Sequence, residues 1–137
     1  MNVVQFDLSA KLPVQADTGS AGFDLFSLEK YTLQPWSRQL IRTGIGLEIP
    51  EGFYGRIASR SSMGVKCQDI GAGVIDSSYR GEIKVLLINN SAENFEVSKN
   101  DKIAQIIFEK YFTFQLNVVN ELTPTARNDK GFGSSGK

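Results

Sequence analysis

The fold of this chain is indicated first by residues 38–50, RQLIRTGIGLEIP. Apolar and polar residues alternate over much of this stretch, and a period of two predicts a β-strand with one face buried. The next residues, Pro50 to Gly52, predict a turn, because Pro and Gly suit the backbone angles of tight turns. Residues 53–58, FYGRIA, then predict a further strand. This part of the chain therefore consists of strands joined by tight turns.

The same pattern continues toward the C-terminus. Residues 82–89 are rich in β-branched residues, and further strands are predicted at 95–97, 103–108 and 112–119. Residues 104–111 could instead form a helix, but Ile106, Ile107 and Phe108 favour a strand. Short strands separated by turns every 8–12 residues or so are typical of a sandwich or barrel. We therefore predict one all-β domain.

Composition excludes several classes of protein. The chain has 137 residues, 41% of them hydrophobic and 22% charged, as expected for one globular domain. Fifteen basic residues balance fifteen acidic ones, so no overall charge attracts nucleic acid or a membrane surface. No stretch approaches the ~20 apolar residues of a membrane span, and the N-terminus lacks the pattern of a signal peptide. We expect an intracellular soluble protein, in the cytoplasm or nucleus.

The sequence also limits the chemistry. It contains no His, the commonest general base and metal ligand, and Cys67 is its only thiol. An intrachain disulfide and a thiolate zinc cage are therefore excluded, and Cys67 is better explained as a small packing residue than as a nucleophile. A carboxylate is the natural candidate for a catalytic base.

Residues 71–82, GAGVIDSSYRGE, form the first segment that could carry chemistry. Apolar residues, a polar triplet, an aromatic residue and a Gly are typical of a β-hairpin with a short loop. An ordinary hairpin with solvated turn residues is one interpretation. The other is that the glycines allow the backbone to line a pocket into which Asp76 and Tyr79 project.

Two further segments could bind phosphate. In residues 58–64, ASRSSMG, the Arg60 guanidinium, two hydroxyls and backbone N–H groups suit an anion, although such loops are often only solvated. Residues 123–137 are polar and rich in Gly and Ser, which predicts a flexible C-terminal arm or plain disorder. Phe132 is unusual there, because an exposed aromatic side chain has little reason to be present unless it packs on something.

Five segments, taken in order, resemble the five motifs of the trimeric dUTPase family over nearly the whole chain. They are residues 21–25 (AGFDL), 55–61 (GRIASRS), 71–81, 102–107 (KIAQII), and Arg127 with 131–136 (GFGSSG). The resemblance implies a distorted β-jelly-roll or β-barrel core at residues 1–122, with an arm at residues 123–137 that closes over the active site. It also implies a homotrimer with active sites between subunits.

The activity implied by the resemblance is hydrolysis of dUTP to dUMP and pyrophosphate, which limits uracil in DNA and supplies dUMP for dTMP synthesis. Asp76 would activate the water that attacks the α-phosphorus, and Tyr79 would pack under the deoxyribose. Phe132 would stack on the uracil. The backbone of Gly73, Val74 and Ile75 would bind the uracil. The phosphates would be bound by Arg60, Ser61, Ser62, Gln105, Arg127, Gly133, Ser134 and Ser135. Mg²⁺ would be held mainly by substrate oxygens, with Asp24 contacting one of its waters.

Two positions depart from the family pattern. Ser62 stands where Gly is common, and Ser78 stands where an acidic residue is common. The Ser-Ser pair is similar to that of some retroviral members, which indicates a viral source as one alternative. A dCTP deaminase shares the fold, but its chemistry needs a Glu-centred base that residues 76–77 do not supply. A catalytically silent nucleotide-binding protein is the third interpretation.

Overall fold

A computed structural model describes residues 1–130, which contain twelve strands and one short helix. The helix α1 spans Ser61–Gly64 and was not predicted from the sequence. The strands, in chain order, are β1 Asn2–Gln5, β2 Val14–Gln15, β3 Gly22–Phe26, β4 Tyr31–Leu33, β5 Arg38–Arg42, β6 Ile45–Glu48, β7 Phe53–Ala58, β8 Gln68–Ile70, β9 Val74–Ile75, β10 Lys84–Asn89, β11 Phe95–Val97 and β12 Lys102–Lys110.

The strands form four sheets. The largest has the order β2-β3-β12-β7-β9, and the second has the order β5-β10-β8. Two pairs, β1-β6 and β11-β4, complete the set, and every pairing is antiparallel. The prediction of an all-β, jelly-roll-like fold is confirmed. Within the described residues the sheets remain open, so the barrel is not closed.

The core consists of the inward-facing side chains of these sheets. On β10 the alternate residues Val85, Leu87 and Asn89 are buried, whereas Lys84 is exposed. Burying one large aliphatic side chain contributes about 1.5–3 kcal/mol, so this alternation fixes which face of each strand turns inward. The fully buried aliphatic side chains are Leu25, Leu33, Ile41, Ile45, Ile83, Val85, Leu87, Val97, Ile103 and Ile106.

The stretch 38–50 forms two strands rather than one. Gly44 has φ +71°, a left-handed conformation that favours glycine, and it ends β5 so that β6 can pair with β1 in another sheet. The Gly44 carbonyl accepts a hydrogen bond from the Phe6 amide at 2.8 Å. A single continuous strand was therefore the wrong prediction, because the alternating pattern does not reveal a corner made by one glycine.

The segment 102–110 is strand β12, which confirms the strand interpretation over the helix. It lies between β3 and β7, where it pairs residues Lys102–Ile107 with β3 and Gln105–Lys110 with β7. Because both of its edges are occupied, β12 is the central strand of the largest sheet. It brings the fourth predicted motif beside the first and second.

The strand predicted at 112–119 is wrong for the described chain. Residues 111–130 contain no strand and no helix, and they are exposed throughout. Four apolar side chains on alternate positions of this segment are each at least 79% exposed, namely Phe112, Phe114, Leu116 and Val118. Its alternating pattern is that of a strand, but no strand edge within residues 1–130 pairs with it. In that part of the chain the last strand ends at Lys110, and the proposed boundary between core and arm at residue 122 stays a prediction.

The described residues also bear on membrane association. Among residues 1–130, no helix is long and apolar enough to cross a membrane.

Candidate active site

Three of the predicted motifs meet where β3, β7 and β12 lie side by side. Gln105 on β12 stands opposite Asp24 on β3 and opposite Ala58 on β7. Arg60 lies two residues after the end of β7, and Lys102 begins β12. We call Asp24, Arg60, Lys102 and Gln105 the Arg60 cluster.

Asp24 is the centre of this cluster. It is 7% exposed, and its Oδ1 lies 2.9 Å from Arg60 Nε, while its Oδ2 lies 2.7 Å from Lys102 Nζ. The Lys102 contact is an ion pair without hydrogen-bond geometry, so Oδ2 has no hydrogen-bond partner among the described residues. A buried carboxylate requires such cationic partners, and it restricts the direction of the Arg60 guanidinium in return.

Gln105 supports the backbone that leads to Arg60. Its Nε2 donates a hydrogen bond to the Ser59 carbonyl at 3.1 Å. The side chain lies against Gly22, where a Cβ would stand 2.6 Å from Gln105 Oε1 and 3.2 Å from its Cβ, so a larger residue would require Gln105 to shift. The Gly in the first predicted motif therefore makes room for the Gln in the fourth.

The one-turn helix α1 presents the two hydroxyls of the second motif. Met63 is buried and anchors the turn, whereas Ser61 and Ser62 are exposed. Beside the turn lies an open cavity of about 430 Å³ whose charged lining consists of three basic residues, Arg60, Lys66 and Lys102, and two acidic ones, Glu96 and Asp101. Ser62 adds a hydroxyl, so the donors that could contact an anion lie on the side of the cavity formed by the basic residues and the turn.

The third motif adopts a different geometry from a hairpin. Strand β9 pairs with β7, and the following strand β10 pairs with β5 and β8, so the two arms lie in different sheets. The Gly73 carbonyl accepts a hydrogen bond from the Ile57 amide at 2.7 Å. The hairpin interpretation is therefore wrong: residues 76–81, which we call the Asp76 loop, cross from one sheet to another.

Local hydrogen bonds shape the Asp76 loop. The Tyr79 amide donates to the Asp76 carbonyl at 3.1 Å, which closes a turn. Arg80 Nη1 donates to the Ser77 carbonyl at 2.6 Å, and the Tyr79 hydroxyl donates to the Glu82 carbonyl at 2.9 Å. Ser78, which stands where the family commonly has an acidic residue, is exposed to solvent.

A second cavity, of about 360 Å³, lies against this loop. Of the residues predicted from the sequence, Val74, Ile75, Asp76 and Tyr79 line it. Three residues that were not predicted also line it, namely Leu40, Glu82 and Lys84. Leu40 is marked as a candidate lining residue, because it is an apolar residue of the alternating stretch whose side chain nevertheless remains 51% exposed. The other two are identified only by the folding of β5 and β10 beside the loop.

The predicted site residues thus form two groups. We call the cavity beside α1 the Arg60 cavity and the cavity against the Asp76 loop the Asp76 cavity. The two share no lining residue. Arg127 joins neither, because it lies in the exposed extension, where its Nε donates to the Lys130 carbonyl at 2.9 Å. Phe132, Gly133, Ser134 and Ser135 lie outside the described residues. One chain therefore supplies two separate halves of the predicted site.

The strongest carboxylate perturbation lies outside both cavities. Glu109 on β12 accepts hydrogen bonds from the Arg56 guanidinium and the Tyr54 hydroxyl, which lower its pKa from 4.5 to about 2. The same contacts raise the pKa of Arg56 and of Tyr54. These residues connect the adjacent strands β7 and β12, so the shift marks a structural ion pair.

The side chains around the two cavities also limit how a metal ion could be bound. In the part of the chain that the structure describes, no group of three or more carboxylate, His or Cys side chains could hold a metal ion. Asp24, the one residue predicted to contact a metal-bound water, already has a basic group beside each oxygen. Any Mg²⁺ at this site would therefore depend on substrate oxygens for most of its ligands.

The comparison with known families decides the class of protein. The family model described as dUTPase matches residues 9–136. The chain belongs to the dUTPase family. The deoxyuridine 5'-triphosphate nucleotidohydrolase of Monkeypox virus is 48% identical over 127 residues, which cover 93% of this chain and 84% of the relative. That of Vaccinia virus (strain Copenhagen) is also 48% identical, with 93% and 86% covered.

Solved structures of dUTPases share the fold. The dUTPase of Staphylococcus bacteriophage 80alpha with dUPNHPP superimposes with a TM-score of 0.94 at 27% identity, over 99% of this chain and 98% of that one. A dUTPase from phage phi11 of S. aureus, described with a structural Mg(II) ion, gives a TM-score of 0.82 at 26% identity, covering 88% and 96%. The similarity therefore extends through the whole core.

Proposed function

We propose that this chain hydrolyses dUTP to dUMP and pyrophosphate. The observation that carries the proposal is the Asp76 cavity, an open space of about 360 Å³ lined by a carboxylate, Asp76, an aromatic residue, Tyr79, and both residues of β9. Family membership and the nucleotide analogue bound by the phage 80alpha relative support it.

Uracil recognition would use the backbone of β9. This strand is the last in its sheet, so one of its edges has no strand partner among the described residues. Uracil offers two carbonyl acceptors and one N–H donor, which main-chain groups can match. Cytosine would leave some of these groups unpaired, and a site built on such hydrogen bonds can discriminate by ~10⁴–10⁵-fold.

Asp76 would orient the attacking water. The water oxygen bonds to the α-phosphorus, the bond to the bridging oxygen breaks, and the electron pair leaves with pyrophosphate. The carboxylate accepts a hydrogen bond from the water and takes its proton. Positioning and general-base assistance of this kind contribute about 10²–10⁴-fold. In a chain without His, the remaining barrier must be lowered by positive charge at the phosphates.

The Arg60 cluster would supply that charge. Asp24 directs Arg60 through its Nε, and Nη1 makes a long hydrogen bond of 3.5 Å to the Lys102 carbonyl. Nη2 is then the guanidinium nitrogen that would bind phosphate oxygens. We also propose phosphate contacts from Ser61, Ser62, Gln105, Arg127, Gly133, Ser134 and Ser135, with Phe132 stacking on the uracil. The roles of residues beyond 130 rest on the family motif alone.

Mg²⁺ is proposed as the cofactor, bound with the triphosphate. It would neutralise charge on the phosphate oxygens. Asp24 would reach it through a water at most, because Arg60 and Lys102 already face its two oxygens.

We further propose that the chain forms a homotrimer with active sites between subunits. The separation of the two cavities supports this arrangement, since a second copy could bring an Arg60 cluster to an Asp76 loop. The exposed side chains of Phe112, Phe114, Leu116 and Val118 also support it. An alternating apolar segment left in solvent is unfavourable, and pairing with another chain would bury it.

Pyrophosphate release from dUTP tests the proposed activity. We expect turnover by the wild type and a loss of at least ~10²-fold in Asp76→Asn, because that change removes the base but keeps the size of the side chain. Equal turnover by the variant would exclude the role of Asp76. Ammonia release from dCTP would identify a deaminase, and tight dUTP binding without turnover would identify a silent binding protein.

In a cell, the proposed reaction would limit uracil in DNA and supply dUMP for dTMP synthesis. An intracellular location remains our prediction, and the poxviral relatives are compatible with a viral source.

A further inference from the structure

The base of the Asp76 loop is tied to a corner of a neighbouring sheet through Glu82. The corner consists of Thr43 and Gly44, between β5 and β6. Glu82 Oε1 accepts a hydrogen bond from the Gly44 amide at 2.9 Å, and the next residue, Ile83, donates to the Ile45 carbonyl at 2.8 Å. The Thr43 hydroxyl donates to the Ile83 carbonyl. The chain that leaves the loop is thus held at several points.

Arg42 completes the attachment. Its Nε lies 3.1 Å from Glu82 Oε1 and 3.2 Å from Oε2, and its Nη1 lies 3.0 Å from Glu29 Oε1. The Glu82 side chain is only 14% exposed, whereas that of Glu29 is 51% exposed. Hydrogen bonding to Glu82 also raises the pKa of Arg42. Glu82 is therefore the partner that fixes Arg42 against the protein, and Glu29 is peripheral.

The same residue holds Tyr79 by its backbone. The Tyr79 hydroxyl donates to the Glu82 carbonyl at 2.9 Å. The ring passes so close to Gly81 that a Cβ on Gly81 would overlap the hydroxyl. The position of the Tyr79 ring therefore depends on where the Glu82 carbonyl stands, and the contacts of the Glu82 side chain are among those that hold this part of the chain.

We propose that Glu82 is a positioning residue for sugar selection. Its carboxylate fixes the backbone carbonyl that orients Tyr79, and Tyr79 in turn forms the floor against which a 2′-deoxyribose fits and a 2′-hydroxyl does not. The inference rests on the proposed function, because it concerns the sugar of the nucleotide that the Asp76 cavity binds. It adds Glu82 and Arg42, neither of which touches the reacting atoms.

The test compares the ratio of kcat/KM for dUTP to kcat/KM for UTP. Glu82→Gln keeps the size of the side chain but loses the charge that holds Arg42. We expect the ratio to fall about 3–10-fold, as for the loss of one hydrogen bond, mainly through a rise in kcat/KM for UTP. Tyr79→Phe removes the hydroxyl and is expected to give a similar fall. The double variant should fall little further, because both changes release the same contact.

Two more variants separate positioning from general stability. Arg42→Lys keeps the charge but loses the two-point contact, so it should lower the ratio as Glu82→Gln does. It also decides the question if Glu82→Gln does not fold. Glu29→Gln removes the exposed partner of Arg42 and serves as the matched control, with an unchanged ratio expected. Thermal melting of each variant measures stability separately.

The outcomes are distinct. An active wild type with an unchanged ratio in Glu82→Gln and Arg42→Lys would overturn the inference and leave the proposed function intact. Additive falls in the double variant would also overturn it, since Glu82 and Tyr79 would then act independently. A wild type that does not turn over dUTP would overturn the proposed function, and the inference with it.

Discussion

Replacing Gly73 with Ala should distort the strand that we propose as the uracil site. A Cβ at this position would stand 2.8 Å from the Ile57 carbonyl oxygen, whereas ordinary contact begins at 3.4 Å. The neighbouring atom belongs to the main chain of β7, one residue before the end of the strand, and cannot rotate away as a side chain could. The Gly73 carbonyl also accepts a hydrogen bond from the Ile57 amide at 2.7 Å. An Ala at position 73 must therefore either keep an overly close Cβ contact or lengthen this hydrogen bond.

The magnitude follows from how little holds β9 in place. Only two residue pairs join β9 to β7, Ile75 with Gly55 and Val74 with Arg56. Overpacking of this kind costs about 1–3 kcal/mol. If β9 stays in place, the cost appears as lower stability. If β9 moves, it appears as a fall of up to ~150-fold in kcat/KM for dUTP, because each 1.4 kcal/mol corresponds to about tenfold.

The assay therefore measures both quantities on one preparation. Thermal or urea unfolding gives the change in stability, and pyrophosphate release gives kcat/KM. We expect the two free-energy losses to sum to about 1–3 kcal/mol. Gly64→Ala is the matched control: nothing lies within 4 Å of a Cβ at Gly64, and the residue has no positive φ, so both quantities should stay close to wild type.

One result would refute this reasoning. If Gly73→Ala matched the wild type in both stability and kcat/KM, the close approach of Gly73 to β7 would have no energetic consequence. The assignment of β9 as a rigid binding edge would then fail.

Three further predictions concern the rest of the fold. Glu109→Gln should destabilise the protein at neutral pH; because the folded pKa of Glu109 is lowered from 4.5 to about 2, the difference from wild type should shrink as pH falls between these values, and a difference independent of pH in unfolding experiments would contradict it. Asp24→Asn should lower stability by about 1–3 kcal/mol, less than for a fully buried pair because its basic partners are partly exposed. It should also raise KM for dUTP through misdirected Arg60; a change only in the Mg²⁺ concentration needed for turnover would instead support contact with a metal-bound water. Asn89→Ala should cost about 2–4 kcal/mol in unfolding free energy, because the buried Asn89 amide donates to three carbonyls. Its kcat/KM should remain unchanged. A melting temperature equal to that of the wild type would show that those carbonyls find other partners.

The strand pattern was predictable because it is local. Turn residues and β-branched or aromatic side chains predicted strands at residues 53–58, 95–97 and 103–108, and all three are present. The errors occurred where long-range pairing decides. Gly44 divides one predicted strand into two members of different sheets. Residues 112–119 have strand-like alternation but no strand partner among residues 1–130.

The site was predictable as a list of residues but not as an arrangement. The dUTPase-like motifs selected Arg60, Gln105, Asp76 and Tyr79, and the structure places them in or beside two cavities. Neither Asp24 as the centre of two ion pairs nor Glu82 as the anchor of the Asp76 loop was predictable from spacing. Each depends on residues at least 36 positions apart in the chain.

By itself, then, the sequence determined the all-β class, the family and the identity of the chemical groups, because these follow from local alternation and from residues in a fixed order. Tertiary structure alone decided that residues 71–82 join two sheets instead of forming a hairpin, and that the groups proposed to bind phosphate and nucleoside line separate cavities. The physical reason is strand pairing. Backbone hydrogen bonds between distant segments are nearly independent of side-chain identity, so which edges meet is settled only when the whole core is buried.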